Sequence, residues 1–102
     1  MTLRTPDQHV RPQIEAIKAY LAAEGLREVE ELRTKTSEGY HTIRSTVGEH
    51  PRLLRLGYGW LEEHPDAITW LHDKWIADRL KSDNAEIWIH DDGQITSGLT
   101  PQ

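Results

Sequence analysis

The chain contains no cysteine, which excludes disulfides and thiolate zinc sites and leaves its redox compartment unreported. It contains no phenylalanine either, so aromatic packing falls to three tyrosines and to Trp60, Trp70, Trp75 and Trp88. Trp couples a large apolar area to an N–H that needs a partner. Four of them in 102 residues point to core pillars together with a binding anchor. No apolar run approaches the roughly 18 residues of a membrane span. The opening "MTLRTPDQHVRP" lacks the apolar stretch of a signal peptide. The expectation is a soluble, cytoplasmic protein without a cofactor.

Catalytic motifs are scarce as well. Ser37, Ser45, Ser82 and Ser97 have no G-x-S-x-G context. The "GYG" at 57–59 has no following GK[ST] and is read as having no preceding strand, and the zinc motif HExxH is missing. Among the six histidines, His90-Asp91-Asp92 and His72-Asp73 leave a His/Asp metal-dependent hydrolase as the least favoured reading, since that dipeptide is too common to suggest one. Ligands must converge from several elements, and adjacent strand residues point to opposite faces. The triplet reads better as turn chemistry, and no metal site is expected.

What is present describes one domain. The apolar share is 36% and the net charge is −5. That charge is uneven: −2 over residues 1–32, +3 over 33–55 and −6 over 56–102. An acidic chain disfavours non-specific nucleic-acid binding, which depends on phosphate neutralisation. The basic middle is a local exception.

Periodicity gives the elements. "PQIEAIKAYLAAE" places Ile14, Ile17 and Leu21 at helical spacing, with Pro12 suited to the first helical position and Gly25 to the position just past the end. β-Branched residues around "SEG" indicate a hairpin over 27–36 and 40–47. "EHP" recurs at 49–51 and 63–65, each time before a run read as helical. The first run aligns Leu53, Leu56 and Trp60. The second, 65–81, turns Ile68, Leu71, Trp75 and Ile76 inward, with His72 and Arg79 beside them, and leaves Trp70 on the opposite, solvent side. "EIWIH" and "QITSG" form a last hairpin, with Asp92-Gly93 at the centre of a type I′ turn. The assembled expectation is a small single α+β domain over 12–98, between a flexible arm (1–11) and a flexible tail (99–102). Its order is helix–hairpin–helix–helix–hairpin, with the helices packed on one face of an antiparallel sheet.

Two surfaces follow from this arrangement. Trp70, Trp88 and Tyr58 are amphipathic anchors of the type enriched at interfaces, and Glu62, Glu63, Asp66, Asp73 and Asp78 supply an acidic rim that would steer towards a basic partner. On this reading the protein is a small, acidic, non-catalytic protein-binding module, an inhibitor, immunity or adaptor protein. The duller alternatives are that Trp70 and Trp88 pack on each other or under the N-terminal arm, forming a second small core, or that they are buried in a homodimer. The competing function is nucleic-acid binding through Arg33, Lys35, Tyr40 and Arg44 on the first hairpin, with Arg52 and Arg55 nearby.

Overall fold

In a computed structural model of the chain, which describes residues 6–32, 39–82 and 84–99, the first element is helix α1, Pro6–Ala23. Its buried stripe is Val10, Ile14, Ile17 and Leu21, which follows the helical period. The helix therefore starts at Pro6 rather than Pro12, and part of the expected arm is structured. Pro12 lies inside it, where it forgoes one N–H bond, while burial of Val10 holds the preceding turn in place. The helix ends where Gly25 predicts. Leu26 N–H bonds the Leu21 carbonyl at 3.1 Å and Gly25 N–H bonds that of Ala22 at 3.1 Å, with Gly25 at φ 98°. This is a Schellman stop, and buried Leu21 and Leu26 make the apolar contact that accompanies it.

Strands β1 (Arg27–Leu32), β2 (Tyr40–Val47) and β3 (His50–Gly57) follow. β1 pairs antiparallel with β2 as expected, with a register shift between Arg27 and Glu30 beside Glu28 at φ 52°. Residues 33–38 of the expected first strand and turn lie outside the described residues. β3 overturns the helix expected after the first "EHP". Arg52, Leu54 and Leu56 are buried while Leu53 and Arg55 are half-buried, a period of two. Leu and Arg favour helices, but pairing on both flanks overrides propensity. The strand also supplies what the "GYG" was thought to lack.

Helices α2 (Tyr58–Glu63), α3 (Ala67–Asp73) and α4 (Ile76–Lys81) carry the chain across to β4 (Asn84–Ile89) and β5 (Ile95–Leu99). The five-stranded sheet has the order β1-β2-β3-β4-β5. Because β3 and β4 run parallel, through Leu54↔Ile87 and Leu56↔Ile89, the sheet is mixed rather than antiparallel. Parallel neighbours need a crossover connection, and the three helices provide it. Ile43, Leu54, Leu56, Ile87 and Ile89 on the sheet join Ile14, Ile17 and Leu21 of α1, and Leu71, Ile76 and Leu80 of the crossover, in one core. Among the described residues, no helix is long and apolar enough to cross a membrane.

The expected helix 65–81 is two helices. Trp75 stands between them at φ 57°, ψ 38°, a left-handed conformation that costs an L-residue about 1–2 kcal/mol. The break lets Ala67 and Leu71 of α3, and Ile76, Ala77 and Leu80 of α4, all reach the core. A single straight helix would have used Trp75 for that purpose.

Candidate functional site

The break reverses the two tryptophans of this region. Trp75, expected inward, is 67% exposed and is the exposed large hydrophobic residue of the described chain. Its backbone is fixed from both sides: its N–H bonds the His72 carbonyl at 3.0 Å, and its carbonyl accepts Arg79 N–H at 2.9 Å. Trp70, expected outward, is half-buried against the core. It packs edge-on to Trp60 at 4.9 Å, with Lys74 Nζ 5.7 Å from its ring centre. His72, expected in or beside the buried stripe, is exposed and meets Tyr20 edge-on at 4.8 Å.

Glu62, Glu63, Asp66, Asp73 and Asp78 are all exposed. Asp73 closes α3 and Asp78 lies in the first turn of α4, so this pair brackets Trp75 in the chain. Asp78 also faces Lys81 at 3.6 Å. Lys74, Arg79 and Lys81 are exposed on the same helices, and the carboxylates outnumber them.

Trp88 belongs to a different surface. Alternation along the strands puts it with Tyr40, Thr42, Arg55 and His90, on the side of the sheet opposite Ile43, Leu54 and Ile87. Arg55 lies over the Trp88 ring at 4.7 Å, Tyr40 meets that ring edge-on at 5.0 Å, and the indole N–H donates to Glu86 at 2.6 Å. Tyr40 Oη is 2.6 Å from His90 Nδ1, and His90 Nε2 is 2.9 Å from Thr96 Oγ1. Trp70 and Trp88 thus have separate partners and do not form the shared small core considered above. Tyr58, also named as an anchor, is half-buried and stands edge-on to His41 at 4.6 Å.

Of the described residues in the basic set, Tyr40 and Arg55 meet at the Trp88 ring, whereas Arg52 is turned away from them. Arg52 is 5% exposed. Its Nε donates to the Leu80 carbonyl at 2.6 Å and its NH2 group to that of Ser82 at 3.1 Å. It caps the end of α4 and is withdrawn from any phosphate. Arg55 pairs with Glu86 at 3.4 Å. Arg44 stays half-exposed, 3.8 Å from Glu30, while Arg33 and Lys35 lie outside the described residues.

The His90-Asp91-Asp92 stretch is a turn, but of another type. His90 N–H bonds the Gln94 carbonyl at 2.9 Å and Gly93 N–H bonds that of His90 at 2.8 Å. Only Gly93 in this turn has positive φ, at 88°. These are the marks of a three-residue loop closed by a glycine bulge. The register moves by one, so Ile95 pairs with Ile89 rather than with His90. Among the described residues, no three His, Asp or Glu groups gather as a metal site.

Periodicity missed Trp75 because a left-handed tryptophan carries no glycine-like signal. It missed the burial of Arg52 because the run was read as a helix, in which a charged residue beside the apolar stripe reads as a solvent position. No protein-family model, curated protein or solved structure matches the chain.

Proposed function

We propose that the chain is a small, non-catalytic, cytoplasmic module that binds another protein, an inhibitor, immunity or adaptor protein in kind, and that it docks through the corner between α3 and α4. In this reading the helices cover one face of the sheet and turn their outer surface to the partner. The observation that carries it is Trp75, 67% exposed at a left-handed backbone position. Strain of this kind concentrates at binding and catalytic positions, and an exposed indole is a frequent interface anchor. The exposed carboxylates of the helical crossover, Glu62, Glu63, Asp66, Asp73 and Asp78, would favour a partner with a basic surface and bind it by steric and electrostatic occlusion. Trp75 takes the anchoring role for which the helical period had selected Trp70.

The test is retention of a partner from an extract of the native host on immobilised wild type, Trp75→Ala and Asp73→Lys/Asp78→Lys chains. The expected result is a basic partner held by wild type, lost with Trp75→Ala, and weakened by the charge reversal and by salt. A partner held equally by Trp75→Ala but released by Trp88→Ala would move the interface to the sheet and refute the corner.

A further inference from the structure

The two edges of the sheet are built differently. β1, "REVEEL", is charged along its length, is broken in register and contains Glu28 at φ 52°. These are devices that stop an edge strand from pairing with another chain. β5, "ITSGL", shares with it only a register shift, which falls in its pairing with β4 between Asn84 and Glu86. No residue from Gln94 to Thr100 carries a charge, in a chain that is 28% charged, and β5 contains no proline and no positive-φ residue.

The hydrogen-bond phase of β5 shows which amides face its open side. His90 N–H bonds the Gln94 carbonyl, which makes 90 and 94 a hydrogen-bonded pair. Antiparallel pairs alternate, so Trp88↔Thr96 is the next such pair, and the N–H and C=O groups of Ile95 and Ser97 point away from β4. About Ser97 the strand is nearly its own mirror: an apolar residue at 95, small residues at 96 and 98, an apolar residue at 99.

We propose that β5 is a homodimer edge, pairing antiparallel with β5 of a second copy about a two-fold axis at Ser97. In this register each Ser97 exchanges both backbone bonds with its counterpart. Thr96 stands against Gly98, bulk against the residue without a side chain, and position 95 falls opposite position 99, both apolar in the sequence. A two-fold interface must be self-complementary. An uncharged strand meets that condition in a chain of net charge −5, where most other surfaces would set carboxylate against carboxylate. A foreign extended peptide would use the same amides, but nothing about it would call for the symmetric residue order. The inference does not depend on the role given to Trp75.

Sedimentation equilibrium of the full chain over a range of concentrations tests it. Wild type should show reversible monomer–dimer behaviour. Ser97→Pro removes one outward N–H without touching the β4 ladder, and Ser97→Lys sets like charges at the axis. Each should weaken the dimer by roughly tenfold or more, a loss of at least about 1.4 kcal/mol, with an unchanged circular dichroism spectrum. If the proline variant fails to fold, the lysine variant decides. Because the chain has no cysteine, Ser97→Cys gives a single thiol, which should form a cross-linked dimer under oxidised glutathione. Paired Cα atoms in such a ladder lie about 5.5 Å apart, within disulfide reach, whereas Glu30→Cys on β1 should not cross-link. A wild type that stays monomeric at every concentration overturns the proposal. So does a dimer that ignores both Ser97 substitutions and does not cross-link at 97.

Discussion

The carboxylate of Asp91 accepts the backbone N–H of Gly59 at 3.0 Å, which ties the last hairpin turn to the first turn of α2. Space for it exists because two nearby residues have no side chain. A Cβ at Gly57 would lie 2.3 Å from Asp91 Oδ1 and 3.2 Å from the Ile89 carbonyl oxygen, and one at Gly59 would lie 2.9 Å from Asp91 Cγ. Gly57→Ala should destabilise by about 1–3 kcal/mol, the usual cost of overpacking. Asp91→Ala in the same chain should recover part of that loss, leaving the backbone contacts. Gly59→Ala is decided by two opposed effects, since Ala gains about 1 kcal/mol in a helix while Asp91 must move aside. It should stabilise the protein in the Asp91→Ala background and much less in the wild type. Urea denaturation of the five single and double variants checks both signs.

Arg52 is the buried cation that closes α4. Replacing it with Met keeps the stem and removes the donors to Leu80 and Ser82. Hydrogen bonds from a charged group contribute about 1.5–3 kcal/mol each, and sharing among the carbonyls of Leu80, Ser82 and Pro51 lowers the value of any one. A total loss of about 2–4 kcal/mol is expected. Arg52→Lys should recover little of it, because one ammonium cannot span the positions reached by a planar fork. Chemical denaturation midpoints read the difference.

The exchange of Trp70 and Trp75 can be checked in solution. In single-tryptophan chains, acrylamide should quench Trp75 most and Trp60, fully buried, least, with Trp70 between them. The backbone at Trp75 adds a second expectation. Glycine adopts positive φ without the roughly 1 kcal/mol that other residues lose there. Trp75→Gly should therefore melt higher than Trp75→Ala, the reverse of the order expected inside a helix. A melting order of Ala above Gly would show that α3 and α4 are continuous.

Tyr20 sets an alkaline limit on stability. Burial raises its pKa above 10.0, with smaller upward contributions from Glu24 and Asp78, while the hydrogen bond with Ala77 N–H pulls it down. A pKa raised in the folded state favours the protonated form. The associated stability is complete below pH 10.0 and falls as the unfolded chain, and then the folded one, loses the phenolic proton. Tyr20→Phe should flatten this part of the pH–stability curve. It should also lower the whole curve by a constant amount, because Ala77 N–H loses its acceptor at 3.4 Å.

Local chemistry made α1, its stop at Gly25, the first antiparallel pair and the last hairpin legible from the sequence. Each is written in neighbouring residues: an apolar stripe, a glycine past a helix, β-branched runs around a turn. β3 was not legible. Leu53, Leu56 and Trp60 fit a helical period, Arg52, Leu54 and Leu56 fit a strand, and pairing with β4, more than thirty residues later, decides between them. The break at Trp75 was hidden for a similar reason. A straight helix satisfies the local pattern, and only the combined burial of Leu71, Ile76 and Leu80 requires the turn. Among the candidate site residues, the carboxylates are exposed. The expected anchor Trp70 is half-buried and Trp75 exposed instead, because which of two nearby indoles faces water depends on that one turn.

The parallel pairing of β3 with β4 fixes the order in which a nascent chain can complete its sheet. The meander β1–β2–β3 forms from contacts close in sequence, whereas the far flank of β3 waits for the helical crossover and the last strands to leave the ribosome. Until then Leu53 to Leu56 present an uncapped row of peptide groups on a strand that carries three leucines. A chain cut before residue 84 would keep the open flank of β3 and lack the strand that covers it.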